Sequence, residues 1–565
     1  MSVPARASPS SPFNVLNPLP VWKTEFKGYT RARFLQDLLA GVTVGIVALP
    51  LALAFGVTSG AGAAAGLITA IIAGLVASAF GGSRFQITGP TGAMTVVLLP
   101  VIAQYGLSQV FVIGLLAGCL LILASLLRLG RAVHLIPWPV ITGFTNGIAV
   151  IIALQQLPAA LGLQSPRGEG ILLTSLAVLR TFLGAPQLAP LALTAATAAI
   201  MLAWPRVTTR VPGGIIALLT VTGISLALHL DVPRIGVIPA GLPLPHFPTI
   251  NFTSIPALFS AALAVAVLAG LESLLSAVVA DGMTRGARHA PDRELFGQGL
   301  ANIIAPLFGG IPATGAIART AVGVRSGGQT RLTGIIHALF LLLVVLLLGR
   351  AAALIPLSVL AGILLVTALR MFETHAWQAL RRSTRSDFFI MLATLTVTVA
   401  FDLILAIEVG LALAGVLFIQ QMIRSMHLEK MDVTDDAPSD ADLALLRDRV
   451  LAYRVEGPLF FGVAGRFLEN LTANQEVDVV ILRLRRVHHL DASGAHALEG
   501  IHQELQAHGV TLLLSGMQPQ PLALLTRMAL LGALTTNRHH LFETTPQAIE
   551  HAWSHVQRRF QEVKA

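Results

Sequence analysis

The sequence predicts a polytopic α-helical membrane protein followed by a small α/β domain, and three observations carry that expectation. The first is composition: the 565 residues are 54% hydrophobic and 12% charged, with a mean hydropathy of +0.75. Soluble domains carry roughly 25% charge. The second is distribution, since residues 38–83, 85–127 and 132–166 contain no Asp, Glu, Lys or Arg. One crossing needs about 20 apolar residues, so each of the first two runs holds two crossings. The third is an abrupt change after Leu428, where the charged stretch "EKMDVTDDAPSDADLALLRDRV" leads into alternating strand and helix patterns.

Hydrophobic stretches begin near residues 38, 62, 90, 107, 135, 187, 211, 255, 294, 318, 332, 354, 386 and 406. An even number of spans places both chain ends on one side of the membrane. Lys23, Lys27, Arg31 and Arg33 precede the first span, and Arg206 and Arg210 lie between spans. That bias puts the N-terminus in the cytoplasm and accounts for the net charge of +9 without a nucleic-acid partner. Residues 1–36, Pro/Ser-rich and basic, lack the apolar core of a signal peptide. The single cysteine, Cys119, excludes an intrachain disulfide. Ile171–Phe182 is amphipathic and suits the membrane surface. The expected organisation is a cytoplasmic segment (1–36), a transmembrane domain (37–428), a linker (429–447) and an α/β domain (448–560). In the last, Val450–Val455, Val477–Leu484 and Val510–Ser515 read as strands, and Ser493–His508, Leu522–Leu531 and Pro546–Arg558 as helices. Such alternation implies a partly parallel sheet.

Two segments interrupt the apolar pattern in the same way. "ASAFGGSRFQITGPTGAM" (77–94) and "APLFGGIPATGAIART" (305–320) both end a hydrophobic helix with Phe-Gly-Gly, cross a Gly/Pro/Thr stretch containing Thr-Gly-Ala, and resume apolar. Transporters built from two inverted repeats place broken helices at corresponding positions, with substrate between them. Backbone outside a helix cannot face lipid, so 86–92 and 310–318 are expected to converge on an interior site. A helix that restarts there presents unpaired N–H groups and about half a positive charge.

Arg319 follows the second break and adds a full charge with a planar donor array suited to oxyanions. Its bland reading is a snorkelling or ion-paired arginine. Arg325, in a Ser/Gly-rich stretch near Arg331, reads as a loop charge. Glu272, in "AVAVLAGLESLLSAVVAD", lies one helical turn before Ser276. Burial disfavours the charged form of a carboxyl, which suits a proton-coupling group, and a role as countercharge to Arg319 is compatible with it. Asp281, Arg285 and Glu294 read as loop or helix-end charges, and Asp402 and Glu408 as structural charges flanking the last span. His488 and His489 show no metal-ligand spacing, and the sequence pattern suggests no nucleotide-binding loop, metal cluster or nucleophile–base pair. Neither an enzyme nor a cofactor is expected.

At these residues the chain resembles the SulP anion transporters, also called the solute carrier 26 family, from about residue 34 to 555. "GVTVGIVALPLALAFGVTSGAGAAAGL" is similar to the family's first two spans. "FGGSRFQITGPTGAM", with Ser83, Arg84, Gly89 and Pro90, is similar to its third, and "GGIPATGAIARTAVGVRSGGQTRLTG" to its tenth. The resemblance implies fourteen spans as two inverted seven-span repeats, core and gate domains, a homodimer and an elevator-like motion. It also implies an anion site at Pro90, Thr91, Ala318 and Arg319, lined by Phe55, with Glu272 and Ser276 contributing to ion coupling. Pro50-Leu51 resembles members similar to cyanobacterial bicarbonate transporters. Those sodium-coupled members carry Asp and Thr where this chain has Glu272 and Ser276, which favours a proton and a bicarbonate- or dicarboxylate-like bacterial subclass. "LRRVHHLDASGAHALEGI" resembles the signature of a STAS domain. The resemblance makes Ser493 a regulatory phosphorylation site, open to a cytoplasmic regulatory partner, whereas local chemistry makes Ser493 an N-cap, the preferred reading for a transporter.

The expected function is secondary active transport of sulfate, bicarbonate or a C4-dicarboxylate across the plasma (inner) membrane, with a proton. The alternatives are a sodium-coupled bicarbonate symporter, an anion sensor signalling through the STAS domain, a nucleobase permease (disfavoured by Arg319) and a passive anion channel.

Overall fold

The computed structural model describes residues 19–131, 136–164, 170–208, 211–236, 238, 241–248, 255–284, 288–401, 403–425, 427–434, 437–438, 441–459, 477–534 and 539–564. The chain forms two compact units that divide at Ala412/Leu413.

The first unit is helical. A short α1 (Leu19–Glu25) precedes α2 (Arg31–Thr58), α3 (Ala63–Phe80), α4 (Gly92–Tyr105) and α5 (Leu107–Leu126). Then come α6 (Trp138–Gln155), α7 (Leu157–Leu161), α8 (Ile171–Gly184), α9 (Leu188–Ala203) and α10 (Gly213–Ala227). The second half contains α11 (Ile255–Met283), α12 (Pro291–Leu307), α13 (Ile317–Arg325) and α14 (Leu332–Ala352). It ends with α15 (Leu357–Met371), α16 (Thr374–Arg381), α17 (Arg385–Ala400) and α18 (Leu403–Ser425). Among the described residues, nine of these segments are long and apolar enough to cross a membrane alone. The short α4, α10, α12, α13 and α17 complete fourteen spans, with α6 and α7 forming one and α8 and α16 standing outside the count.

Seven spans is an odd number, so the second repeat enters the membrane upside down relative to the first. Two short strands record this inversion: β1 (Thr88–Gly89), before α4, pairs antiparallel with β2 (Thr314–Gly315), before α13. Packing separates a core, in which α2–α5 interlock with α11–α14, from a gate of α6, α7, α9, α10, α15 and α17. The outward faces are apolar. On α14, Leu339, Leu343, Leu346 and Leu347 are exposed while Gly334, His337, Ala338 and Leu341 are buried. Small and polar residues inside and leucines outside is the pattern of a helix solvated by lipid. The amphipathic α8 follows it, burying Thr174, Ser175 and Val178 and exposing Leu172, Leu173, Leu176, Leu179 and Leu183.

The second unit holds a five-stranded sheet of β3 (His427–Met431), β4 (Val450–Glu456), β5 (Val479–Arg486), β6 (Thr511–Ser515) and β7 (Leu541–Phe542), in that order. β3 is antiparallel to β4 and the remaining pairs are parallel. Because helices cover both faces, strand residues alternate between two cores. Leu451, Tyr453, Val480, Leu482, Leu512 and Leu514 pack under α20 (Ala492–Ala507), α21 (Pro519–Arg527) and α22 (Leu531–Leu534). Val450, Ala452, Val479, Ile481 and Leu513 pack against α19 (Leu443–Arg449) and α23 (Thr545–Lys564). The stretch 429–447, expected to be a linker, belongs to this domain: it supplies most of β3 and the start of α19. Its charges misled because β3 is an edge strand, where charged side chains guard an open edge; Glu429 pairs with Arg454 of β4 at 2.8 Å.

Candidate functional site

The first break begins where α3 stops at Gly81 and Gly82. These glycines have no alternative: a Cβ on Gly82 would run into the backbone of Ala290 and Glu294. The chain then extends through β1 to Thr91, which caps α4 by accepting from the Met94 N–H at 3.4 Å. The second break runs from Gly309, whose φ of +79° suits glycine, through β2 to Ala316. No side chain caps α13. Ala316 N–H donates to Ile87 O at 2.9 Å, which ties the two breaks together beyond the strand pair.

Helix α12 satisfies the backbone that the breaks leave open. Glu294, Gln298 and Asn302 recur at one-turn intervals and are buried. Glu294 Oε2 accepts from the N–H groups of Gly82 and Ser83 at 2.8 and 2.9 Å. Gln298 Nε2 donates to Thr88 Oγ1 at 2.7 Å and to Glu294 Oε1 at 2.9 Å. Asn302 exchanges hydrogen bonds with both backbone groups of Ala313. Glu294 is therefore not an ordinary helix-end charge: it sits in the first turn of α12, fully buried, and fastens the first break. Ser273 does similar work for the second, accepting from Gly315 N–H at 2.8 Å and bonding Thr314 Oγ1 at 2.9 Å. The one-turn recurrence of amide and carboxyl side chains in α12 was the sequence signal for these residues.

Arg319 lies in the first turn of α13 with 1% of its surface exposed, which excludes the snorkelling reading. Its Nη2 donates to Pro90 O at 2.6 Å, while Nη1 has no hydrogen-bond partner among the described residues. The next residue, Thr91, donates its hydroxyl to Glu272 Oε2 at 2.9 Å. Arg319 and Glu272 form no ion pair within 4 Å among the described residues; each instead grips the entry of α4, one at Pro90 and the other at Thr91. Ser276 Oγ donates to Thr320 Oγ1 at 3.1 Å, and Thr320 Oγ1 accepts from Ile87 N–H at 3.0 Å. Phe55 is buried beside Gly92, its Cε1 3.3 Å from where a Cβ would stand. Ala318 is exposed on the first turn of α13. The structure thus gathers Pro90, Thr91, Arg319, Glu272 and Phe55 around the start of α4, with Ser276 one bond away through Thr320.

Other sequence-assigned residues fall elsewhere. Arg325 is exposed as expected, and Glu408 is exposed on α18. Asp281 is bound to His289 at 2.7 Å. Arg285 and Asp402 lie outside the described residues. His488 and His489 face solvent. Ser493 is not the N-cap of α20: Asp491 takes that position, accepting from Gly494 N–H at 2.7 Å, and Ser493 is exposed within the first turn. The helix begins two residues earlier than a serine cap requires, and the Asp491 carboxylate takes the capping role on the Gly494 amide. Asp491→Ala is expected to cost about 1 kcal/mol locally, raising amide exchange in the first turn of α20 about fivefold when followed by hydrogen exchange.

Fourteen spans closing on a buried arginine between two broken helices define a membrane transporter rather than an enzyme. The sequence profile described as "Sulfate permease family" matches residues 34–394, and that of the STAS domain matches residues 444–548. The chain is 38% identical over 525 residues to the putative sulfate transporter YvdB of Bacillus subtilis, covering 92% of this chain and 98% of that one. It is 36% identical to the bicarbonate transporter BicA of a Synechocystis strain, covering 86% and 88%. The solved transmembrane domain of a cyanobacterial bicarbonate transporter superposes with a TM-score of 0.61 at 36% identity, covering 68% of this chain and 98% of that one. Murine solute carrier 26 family member A9 shares the fold, with a TM-score of 0.85 at 17% identity over 98% and 96% of the two chains. The chain belongs to the sulfate permease family and is an anion transporter of that family with a C-terminal STAS domain.

Gly89 makes the approach of Arg319 possible, since a Cβ there would lie 2.5 Å from Nη1. Gly89→Ala is expected to displace the guanidinium and lower anion uptake into proteoliposomes at least ~10-fold, about 1.4 kcal/mol. Wild-type uptake by this variant would show that the observed guanidinium position is dispensable.

Proposed function

We propose that this protein is a secondary active transporter that holds one small anion between the starts of α4 and α13 and drives it inward with a proton. The observation that carries the reading is the half-satisfied Arg319. Burying a guanidinium costs several kcal/mol, and a single carbonyl bond at Pro90 O offsets only part of this. An oxyanion at Nη1 would complete the donor set, in a bidentate geometry that suits arginine. The uncapped start of α13 adds backbone N–H groups and a partial positive charge on the same side. Pro90, Thr91, Ala318 and Arg319 are the proposed anion contacts, with Phe55 as the apolar wall.

Glu272 is the proposed proton carrier, with Ser276, one turn further along α11, in a supporting role. Its hydrogen bond to Thr91 links it to the α4 entry that Arg319 also holds, so a change in its protonation reaches the anion contacts through one shared segment. Because β1 and β2 pair directly, both half-helices belong to one body, which supports an elevator-like movement of core against gate. The resemblance to the family further suggests a homodimer in the plasma (inner) membrane with both termini cytoplasmic, and a regulatory role for Ser493.

Sulfate, bicarbonate and C4-dicarboxylates all match the donor geometry. The named relatives favour the first two, being described as sulfate and bicarbonate transporters. The decisive experiment is uptake of labelled sulfate, bicarbonate, fumarate and succinate into proteoliposomes under an imposed pH gradient. Accumulation of one of them supports the proposal. Uptake that requires a sodium gradient at clamped pH replaces the proton with sodium. Binding with no flux favours an anion sensor acting through the STAS domain, and flux that never exceeds equilibrium indicates a channel.

A further inference from the structure

The STAS domain carries three histidines that no transport role absorbs. His551 and His555 stand one turn apart on α23, and His540 immediately precedes β7. Their donor nitrogens all lie within 4.8 Å of one another. His551 Nε2 and His555 Nε2 are 3.2 Å apart. Two nitrogens bound 2.0–2.1 Å from a tetrahedral zinc ion are about 3.3 Å apart, so this pair already has the spacing of two ligands on one ion.

The supports of the three rings are independent and rigid. β7 pairs with β6, and Leu514 N–H donates to His540 O at 2.9 Å. α23 is fixed by Ala548, Ile549, Ala552, Trp553 and Val556, all buried in the core beneath the sheet. Phe542 packs on the His551 ring, with centroids 5.1 Å apart. Burial, and then the neighbouring His555, His551, His502 and His539, hold His540 down at about 4, well below the usual imidazole range. His551 and His555 are lowered as well, by burial first and then by their neighbours, including Arg558. Neutral imidazole is the form that ligates metals. The cation facing the cluster, Arg558, is drawn back along its helix onto Ser554 O and Oγ.

We propose that His540, His551 and His555 form a site for a divalent transition metal of the nickel–copper–zinc group, with a fourth position left to water. An all-imidazole donor set suits these ions and not magnesium or calcium. Binding would clamp the last helix to the edge of the sheet. The metal-free alternative is a hydrogen bond between His551 and His555 within a packed ring cluster.

The test uses the full-length chain, purified without a histidine tag, stripped with chelator and titrated with Co(II). The expected result is one equivalent of Co(II) with the intense visible absorption of four-coordinate cobalt, displaced by Zn(II). The His551→Gln/His555→Gln double variant should lose that equivalent, and His540→Gln, changed outside the helix, should weaken it at least ~10-fold. The proposal is overturned if the wild type gives only the weak spectrum of hexaaqua cobalt. It is equally overturned if His540→Gln binds as tightly as the wild type, a comparison that stands whether or not the double variant folds.

Discussion

Arg319→Ala is expected to abolish anion binding and uptake while the protein still assembles in the membrane. The side chain makes one hydrogen bond among the described residues, to Pro90 O, and is among the largest fully buried side chains, so its removal leaves Pro90 O short of a donor and opens space beside the start of α4. The loss falls on the anion. Hydrogen bonds to charged groups contribute about 1.5–3 kcal/mol each, so losing a bidentate pair lowers affinity by roughly 100-fold or more. Arg319→Lys keeps the charge but not the planar fork and is expected to fall between the two. Anion-induced thermal stabilisation of the purified protein, together with uptake, reads both steps. Undiminished uptake by the alanine variant would remove Arg319 from the site.

Glu272→Gln is expected to separate driving force from binding. Glutamine can still accept from the Thr91 hydroxyl, so the α4 entry keeps its geometry, but the side chain no longer carries a proton. With the membrane potential clamped, one coupled proton and a gradient of one pH unit supply about 1.36 kcal/mol, enough for roughly tenfold accumulation. The wild type should approach that ratio. The glutamine variant should stop at equal concentrations inside and out while retaining anion exchange. Accumulation by the variant equal to that of the wild type would show that the proton travels elsewhere.

The breaks at Gly81–Gly82 and Gly309–Gly310 were legible because glycine and proline stand out in an apolar chain, and Arg319 because charge does. The pairing of Thr88 with Gly315 was not legible, since two-residue strands remote in the chain leave no local periodicity. Glu294 read as a helix-end charge because its partners, the amides of Gly82 and Ser83, carry no side-chain signature. Asp37 was invisible because most of its partners lie about 290 positions away in the chain. It is wholly buried and holds Thr330, Thr333 and the Gln329 amide at the start of α14. Arg331, close to the exposed Arg325, proves buried: it bonds Glu25 and three carbonyls at the end of α3. In the STAS domain the strand alternation was plain, but the charged edge strand looked like a linker. His540 escaped notice because the sheet, rather than sequence spacing, brings it to His551 and His555.

The hydrogen bonds from α12 to the first break also set a timetable for biosynthesis. Gly82 and its acceptor Glu294 are separated by 212 positions. At 5–20 residues per second, the ribosome takes about 10–40 s to deliver the carboxylate after the amide has entered the membrane. Throughout that interval the first repeat carries polar backbone that lipid cannot satisfy. The nascent chain therefore has to keep this segment hydrated or shielded by the insertion machinery until α12 emerges, and a chain terminated before residue 294 is expected to be cleared as unfolded rather than to persist as half a transporter.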